Sequence, residues 1–178
     1  GYYGNWLRKN NYGLDPELVQ QYFPMETVVE GLFGVTQELF GIEFREVTSR
    51  EARDGREFWH EDVKLYEVWD NATGTMLGEF YTDLHPRPNK YGHAAQFPLV
   101  LRKRWPDGSL STPVVALVCN FTKPTADKPA LLTHGEVETF FHEFGHCLHS
   151  ILTEAEYANF SGTNVTRDFV EAPSQMLE

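Results

Sequence analysis

Apolar side chains recur at helical spacing through the first forty residues of the chain. In the segment 25–40 this spacing predicts an amphipathic helix with apolar residues at Val28, Val29, Leu32, Phe33, Val35 and Leu39. Gly41 is placed to end this helix, because glycine readily takes the left-handed conformation of a C-terminal cap. A shorter helix is predicted over 17–23, with Asp15 as its N-cap and Pro24 after its end.

The pattern changes to that of β-strands in the middle of the chain. Segments 63–70 and 76–84 flank the turn sequence Asn-Ala-Thr-Gly-Thr at 71–75, which predicts a hairpin. Segments 91–100 and 112–121 are predicted as two further strands, separated by the turn-like sequence Trp-Pro-Asp-Gly-Ser. We therefore expect a small β-sheet in this region.

The last third of the chain returns to helical spacing. Thr133 and Glu136 have the spacing of a capping box, so a helix is predicted to start near His134 and to stop near Thr153. The loop Asn-Phe-Ser-Gly-Thr-Asn separates it from a final helical stretch that includes 168–178. Pro173 either kinks this last helix or lies near its first turn.

Length and charge limit the class of protein. A chain of 178 residues can bury one hydrophobic core, and its formal net charge of −11 argues against a nucleic-acid-binding protein, which usually carries a basic patch. No apolar run approaches the roughly 20 residues that span a bilayer, so no membrane partner is expected. The two cysteines are too few for a disulfide framework and are interpreted as reduced, buried thiols.

The predicted elements make 1–178 a single unit, with N-terminal helices in 1–41, a β-rich middle in 42–122 and helices again in 133–178. The chain begins Gly-Tyr-Tyr-Gly without a methionine and stops inside the last predicted helix. We therefore expect it to be a fragment of a longer protein.

The most specific chemical pattern is the sequence His-Glu-Phe-Gly-His at 142–146. On a helical wheel of about 100° per residue, His142 and His146 lie about 40° apart, with Glu143 beside them. The opposite side of the helix carries an apolar stripe at Phe140, Phe144, Leu148 and Ile151. Two neutral imidazoles on one face can bind Zn²⁺ while the glutamate takes a proton from a metal-activated water, although so short a motif also arises by chance.

A catalytic zinc site uses three protein ligands, so a third ligand must lie elsewhere. The downstream candidates are His149, Glu154, Glu156, Asp168, Glu171 and Glu178. His149 lies a further turn along the same helix, and the metal would have to span about 10 Å of helix to reach it. A ligand from a separate element completes a tetrahedron better. Glu171 and Glu178 both qualify, and their seven-residue spacing leaves the choice open.

Two segments strongly resemble the thimet oligopeptidase and neurolysin family of zinc metallopeptidases, namely "FHEFGHCLHS" and "FSGTNVTRDFVEAPSQMLE". The likeness continues upstream through "NFTKPTADKPALLTHGEVETFFHEFGH", "KYGHAAQF" and "WHEDVKLYEVWD". The resemblance implies an α+β, zincin-like catalytic fragment, in which a small twisted sheet packs on helices and one helix carries the active site. It also implies that the rest of the full-length peptidase is larger and mainly α-helical.

The resemblance further implies a set of site residues. His142, His146 and Glu171 would hold one Zn²⁺ per chain, and Glu143 would be the general base that activates the water. The expected function is a zinc-dependent metalloendopeptidase, an oligopeptidase that hydrolyses peptide bonds in short peptides. The resemblance implies a cytoplasmic location.

His93 and Ala94 are predicted substrate contacts. They lie among small residues on a predicted strand, and a strand edge near a peptidase metal can bind a substrate backbone. In the family such a strand lies beside the metal.

Three more residues near the motif have two interpretations each. Asp168 and Glu178 either cap a helix or accept a hydrogen bond from a ligand imidazole. Gly145 either allows another backbone to approach closely or is a tolerated helix glycine.

Two alternative functions stay open. In one, the chain binds zinc but is catalytically inactive, because the family's downstream substrate-binding segment lies beyond its end. In the other, the chain is a helical interaction module and the motif is fortuitous.

Overall fold

The computed structural model describes residues 2–47, 58–125, 127 and 129–178, and these residues form a mixed α+β fold. The helices are α1 (Tyr2–Tyr12), α2 (Pro16–Gln20), α3 (Met25–Phe40), α4 (His134–Ile151) and α5 (Ala172–Leu177), with a 3₁₀ turn at Ala158–Phe160. The strands are β1 (Ile42–Val47), β2 (Lys64–Asp70), β3 (Met76–Asp83), β4 (Ala95–Val100) and β5 (Val114–Val118).

The predicted helix signals in the N-terminal region are confirmed. The side chain of Asp15 accepts a hydrogen bond from the Glu17 backbone N–H, and a proline occupies the first turn of α2. Gly41 ends α3 in the left-handed conformation, with φ of 65°, and its N–H donates to the Gln37 carbonyl. Helix α2 is shorter than the predicted helix 17–23. The chain forms a turn after Gln20 and does not continue as a helix to Phe23.

The five strands form one sheet in the order β1-β2-β3-β5-β4. The hairpin of β2 and β3 is confirmed, and its turn is held by Asp70, whose side chain accepts hydrogen bonds from the N–H groups of Ala72 and Thr73. The pairing of β3 with β5 is parallel, whereas the other three pairings are antiparallel. This arrangement leaves β4 at one edge of the sheet.

Strand β1 was not predicted from the sequence. It continues directly from the Gly41 cap and pairs with β2 from Ile42 to Val47. Its residue order, Ile-Glu-Phe-Arg-Glu-Val, alternates apolar and polar over the first four positions only, which is a weak strand signal.

The core lies between the sheet and helices α3 and α4, and it is rich in aromatic rings. Phe144 of α4 is fully buried, and its ring lies 5.4–5.7 Å from the rings of Phe33, Phe44 and Phe80. These rings belong to α3, β1 and β3, so one side chain joins α4 to three other elements. Aromatic pairs at this separation stabilise beyond their buried area by about 0.5–1.5 kcal/mol each.

A buried ion-pair cluster holds the loop that leads from β3 into β4. Asp83 accepts hydrogen bonds of 2.7 Å from both terminal nitrogens of Arg87 and lies 2.9 Å from Lys90 Nζ. The Lys90 ammonium also donates to three backbone carbonyls at 2.5–2.8 Å. Burial raises the pKa of Asp83, but hydrogen bonds from Arg87, Trp59 and Lys90 outweigh it, so the pKa lies well below its usual range.

Both cysteines are free and buried, as predicted. Burial raises the pKa of Cys119 to about 12 and that of Cys147 well above its usual value, so both are protonated thiols at neutral pH. Within the described residues, none of the helices has the length and apolar character that crossing a membrane would require.

Candidate metal centre

Helix α4 carries the His-Glu-Phe-Gly-His sequence, and its start and orientation are fixed locally. The predicted capping box is present, since the Glu136 N–H donates to the Thr133 hydroxyl and the Thr133 N–H donates to the Glu136 carboxylate. The predicted apolar stripe is buried at Phe140, Phe144, Leu148 and Ile151. The two histidines and the glutamate are therefore left half-buried on another face of the helix.

Helix α5 crosses α4 at a glycine. A Cβ atom added to Gly145 would lie 2.6 Å from the Cα atom of Ser174 and 2.9 Å from the Pro173 carbonyl oxygen. Real Cβ atoms do not come this close to backbone, so only glycine allows the two helices to meet here. Of the two interpretations of Gly145, close backbone approach is the one that the structure supports.

The chain reverses between α4 and α5 at a second glycine. Gly162 has φ of +57°, and a Cβ atom there would lie 2.7 Å from the Cα atom of Ser150 on α4. The reversal is followed by a turn, so α5 begins at Ala172 and not at 168 as predicted. Pro173 lies in the first turn of α5, where a missing N–H costs nothing, and it does not kink a longer helix.

These crossings bring three potential ligand atoms together. Glu171 Oε2 lies 3.2 Å from His142 Nε2 and 3.1 Å from His146 Nε2, and the three donor atoms all lie within 4.8 Å of one another. Tetrahedral ligands at about 2.0–2.2 Å from zinc are separated by about 3.3–3.6 Å. Two imidazole nitrogens and a carboxylate oxygen are also the donor types that zinc prefers. The residues present therefore fit a zinc ion.

Glu178, the other candidate for the third ligand, lies on the far side of His142. Its Oε1 atom is 2.5 Å from His142 Nδ1, whereas Glu171 faces Nε2 of the same ring. The two nitrogens of an imidazole point in widely different directions, so Glu178 is outside the point where the three donors meet. Of its two interpretations, contact with the imidazole is the one that the structure supports.

Asp168, Glu156 and His149 are not part of this cluster. Asp168 is exposed in the turn before α5. It does not cap that helix, because the helix starts four residues later, and among the described residues it contacts no ligand imidazole. Both interpretations of Asp168 are therefore wrong. Glu156 pairs with Arg104 at 2.6 Å. His149 is half-buried against Phe169, and burial together with the nearby His146 lowers its pKa.

Glu143 faces the edge strand β4. Its Oε2 atom accepts a 3.0 Å hydrogen bond from the backbone N–H of Gln96, and the Gln96 side chain donates to the Ser150 hydroxyl at 3.2 Å. Gln96 was missed in the sequence analysis. Its only signal was a polar residue within an otherwise apolar strand, which does not indicate what it contacts.

The predicted substrate residues His93 and Ala94 precede β4 and do not lie on it. The strand begins at Ala95, because residues 92 and 93 form a bend whose carbonyl at His93 accepts a weak 3.4 Å hydrogen bond from Asn120. His93 is exposed and lies beside Tyr91, while Ala94 packs partly against the main core. Their assignment to a strand was wrong, and their contact with substrate stays a prediction.

Comparison with known proteins places the chain in a family. The sequence profile of peptidase family M3 matches residues 1–178. The chain belongs to peptidase family M3. It is similar to a thimet-like oligopeptidase of Dictyostelium discoideum, with 48% identical residues over 99% of the chain. The aligned part covers 26% of that protein. Oligopeptidase A and dipeptidyl carboxypeptidase of Escherichia coli are 43% and 39% identical over 99% of the chain, which covers 25% of each.

The family membership confirms the resemblance seen in the sequence. The chain spans about a quarter of the length of these curated relatives. These relatives are named as peptidases, and the chain corresponds to one part of each of them.

Proposed function

We propose that this M3 chain carries the zinc centre of an oligopeptidase, on a zincin-like arrangement of an edge strand and an active-site helix. His142, His146 and Glu171 hold one Zn²⁺ in this proposal. The observation that carries it is the approach of Glu171 Oε2 to 3.1–3.2 Å from both imidazole nitrogens, a separation close to that of tetrahedral zinc ligands.

The proposed reaction is hydrolysis of a peptide bond. When bound, zinc supplies Lewis-acid polarisation of the scissile carbonyl and of the attacking water. Glu143 takes a proton from that water and later delivers it to the leaving amine. The Gln96 N–H supports this role because it holds one carboxylate oxygen of Glu143 in place, while the other oxygen makes no hydrogen bond within the described part of the chain.

The proposed substrates are short peptides. Strand β4 lies at the edge of the sheet and contacts Glu143 through Gln96, so a peptide added along this edge would lie beside the proposed base. His93 and Ala94, at the entrance to the strand, are the proposed substrate contacts. The relatives named oligopeptidase support short peptides as the substrate class. Cleavage of internal bonds is the proposed mode, and the cytoplasm is the proposed location.

A second candidate is a zinc-binding chain without turnover. It is favoured by the fact that the chain covers about a quarter of its relatives, so groups that complete a substrate site in the relatives can lie outside it. Peptide cleavage by residues 1–178 alone, compared with cleavage by the full-length protein, distinguishes the two.

Zinc content tests the core of the proposal. The full-length protein should contain one zinc per chain by elemental analysis and should lose it when Glu171 is replaced by Gln. It should also cleave a short quenched fluorescent peptide, and removal of zinc with a chelator should abolish cleavage. Cleavage that persists without metal would refute the proposal.

A further inference from the structure

Helix α5 and the two residues that flank it present three polar side chains on one face, at Glu171, Ser174 and Glu178. Their spacing of three and then four residues places them in a row along the helix surface. Glu171 supplies one ligand atom of the proposed zinc centre, and Ser174 and Glu178 each contact a ligand residue. The row therefore contains more than the single ligand that the proposed function needs.

Ser174 holds the carboxylate of Glu171. Its side chain is completely buried, and its hydroxyl lies 3.0 Å from Glu171 Oε2 and 2.9 Å from the Glu171 carbonyl oxygen. Oε2 is also the oxygen that faces both imidazoles. The backbone of Ser174 packs directly on Gly145, so the hydroxyl is fixed relative to the helix that carries the histidines.

Glu178 holds the ring of His142. An ionised carboxylate can only accept hydrogen bonds, so at the 2.5 Å contact the proton belongs to His142 Nδ1. A neutral His142 then has its lone pair on Nε2, which is the nitrogen that faces Glu171. This contact selects the tautomer of His142 whose Nε2 atom can bind a metal ion between His142, His146 and Glu171.

The two histidines differ in this respect. His146 Nδ1 is buried and has no hydrogen-bond partner among the residues that the structure describes. Within this part of the chain, a carboxylate therefore orients only the first of the two imidazoles.

We propose that α5 positions two of the three zinc ligands through side chains that do not bind the metal, with Ser174 orienting Glu171 and Glu178 orienting His142. This inference rests on the proposed function. Partners of metal ligands typically change metal affinity by about 10- to 100-fold when they are removed, because an unrestrained ligand must be ordered again on binding.

Zinc titration of full-length variants tests both contacts. The variants are Ser174→Ala and Glu178→Gln, and Gln175→Ala is a matched control because Gln175 is exposed on the same helix. We expect the zinc dissociation constant, measured by competition with a chelator, to rise by about 10- to 100-fold in each test variant. The control should stay within about twofold of wild type, and thermal unfolding of each metal-free variant checks that it is folded.

A second measurement needs no substitution. In the metal-free wild-type protein, ¹⁵N chemical shifts of the ring should show His142 as the tautomer protonated at Nδ1. Loss of that preference in Glu178→Gln is a signature that a general loss of stability would not produce. A His142 ring protonated at Nε2 in the wild type would overturn the role of Glu178, even if the variant failed to fold.

The inference and the proposed function fail in different ways. If Ser174→Ala and Glu178→Gln bind zinc as tightly as wild type while His142→Ala and Glu171→Gln lose it, only the positioning role is overturned. If the ligand variants also keep zinc, the proposed function falls as well.

Discussion

Gly145→Ala is a sharp test of how the fold builds the proposed zinc centre. The added methyl group would lie 2.6 Å from the Ser174 Cα atom and 2.9 Å from the Pro173 carbonyl oxygen. Both are backbone atoms of α5, so no side-chain rotation relieves the contact. The helix that begins just after Glu171 must move away from α4.

The size of that movement follows from the distances. Favourable carbon–carbon contacts lie at about 3.5–4.0 Å, so α5 has to withdraw by about 1 Å at this point. Zinc ligation to a carboxylate needs a distance of about 2.0–2.2 Å, which does not absorb such a shift without rearrangement. We expect the zinc dissociation constant to rise at least about tenfold, the lower end of the effect of disturbing a ligand's support.

The loss of stability should be small, because two effects partly cancel. Overpacking a buried contact costs about 1–3 kcal/mol. Alanine is favoured over glycine inside a helix by about 1 kcal/mol, which offsets part of that cost. The free energy of unfolding of the metal-free protein should therefore fall by about 0–2 kcal/mol, and the variant should stay folded.

The assay compares Gly145→Ala with Gly135→Ala in the full-length protein. Gly135 lies on the same helix, but a Cβ atom there meets nothing within 4 Å. Chelator competition gives the zinc dissociation constant, and urea unfolding of the metal-free proteins gives the stability. Gly135→Ala should keep wild-type affinity. If Gly145→Ala also kept it, the packing of α5 on Gly145 would not be what places Glu171.

Three further predictions concern the ligands, the base and the buried ion pair. His142→Ala and His146→Ala should each abolish stoichiometric zinc in elemental analysis, because each variant retains only two of the three protein ligands. Glu143→Gln should retain zinc but lower the turnover of a peptide by about 10²–10⁴-fold, since an amide cannot accept the proton. Asp83→Asn should lower the free energy of unfolding by about 3–5 kcal/mol at neutral pH, because it leaves Lys90 buried without its carboxylate. Hydrogen bonds from Arg87, Trp59 and Lys90 lower the pKa of Asp83 in the folded state, so the stability that its ionised form contributes is present above about pH 4 and is lost as the pH falls further. In urea unfolding, the difference in stability between wild type and Asp83→Asn should therefore narrow in acid.

Much of the local structure could be predicted because it depends on neighbours in the sequence. The N-cap at Asp15, the left-handed end at Gly41 and the capping box at Thr133 each involve residues within a few positions of one another. The hairpin turn has the same origin. Strand β1 was missed because its alternation is too short to be distinguished from a loop.

The His-Glu-x-x-His face could also be predicted, since helical periodicity alone places His142, Glu143 and His146 together and turns Phe144 to the opposite side. Periodicity could not choose between Glu171 and Glu178. Nor could it decide where the last helix begins, so Asp168 stayed a candidate that the start of α5 at Ala172 removes.

The amino-acid sequence by itself determined the helices, the hairpin and the two imidazoles on one helix face, because these follow from interactions a few residues long. The family resemblance already implied Glu171 as the third ligand, but only the tertiary structure shows how separate elements bring the rest of the site together. The close approach at Gly145 brings Glu171 to the Nε2 side of both imidazoles and Glu178 to the Nδ1 side of His142. The edge position of β4 brings Gln96 to Glu143 across 47 residues of sequence. Such contacts depend on how separate elements pack, and the period of a single helix or strand carries no information about that packing.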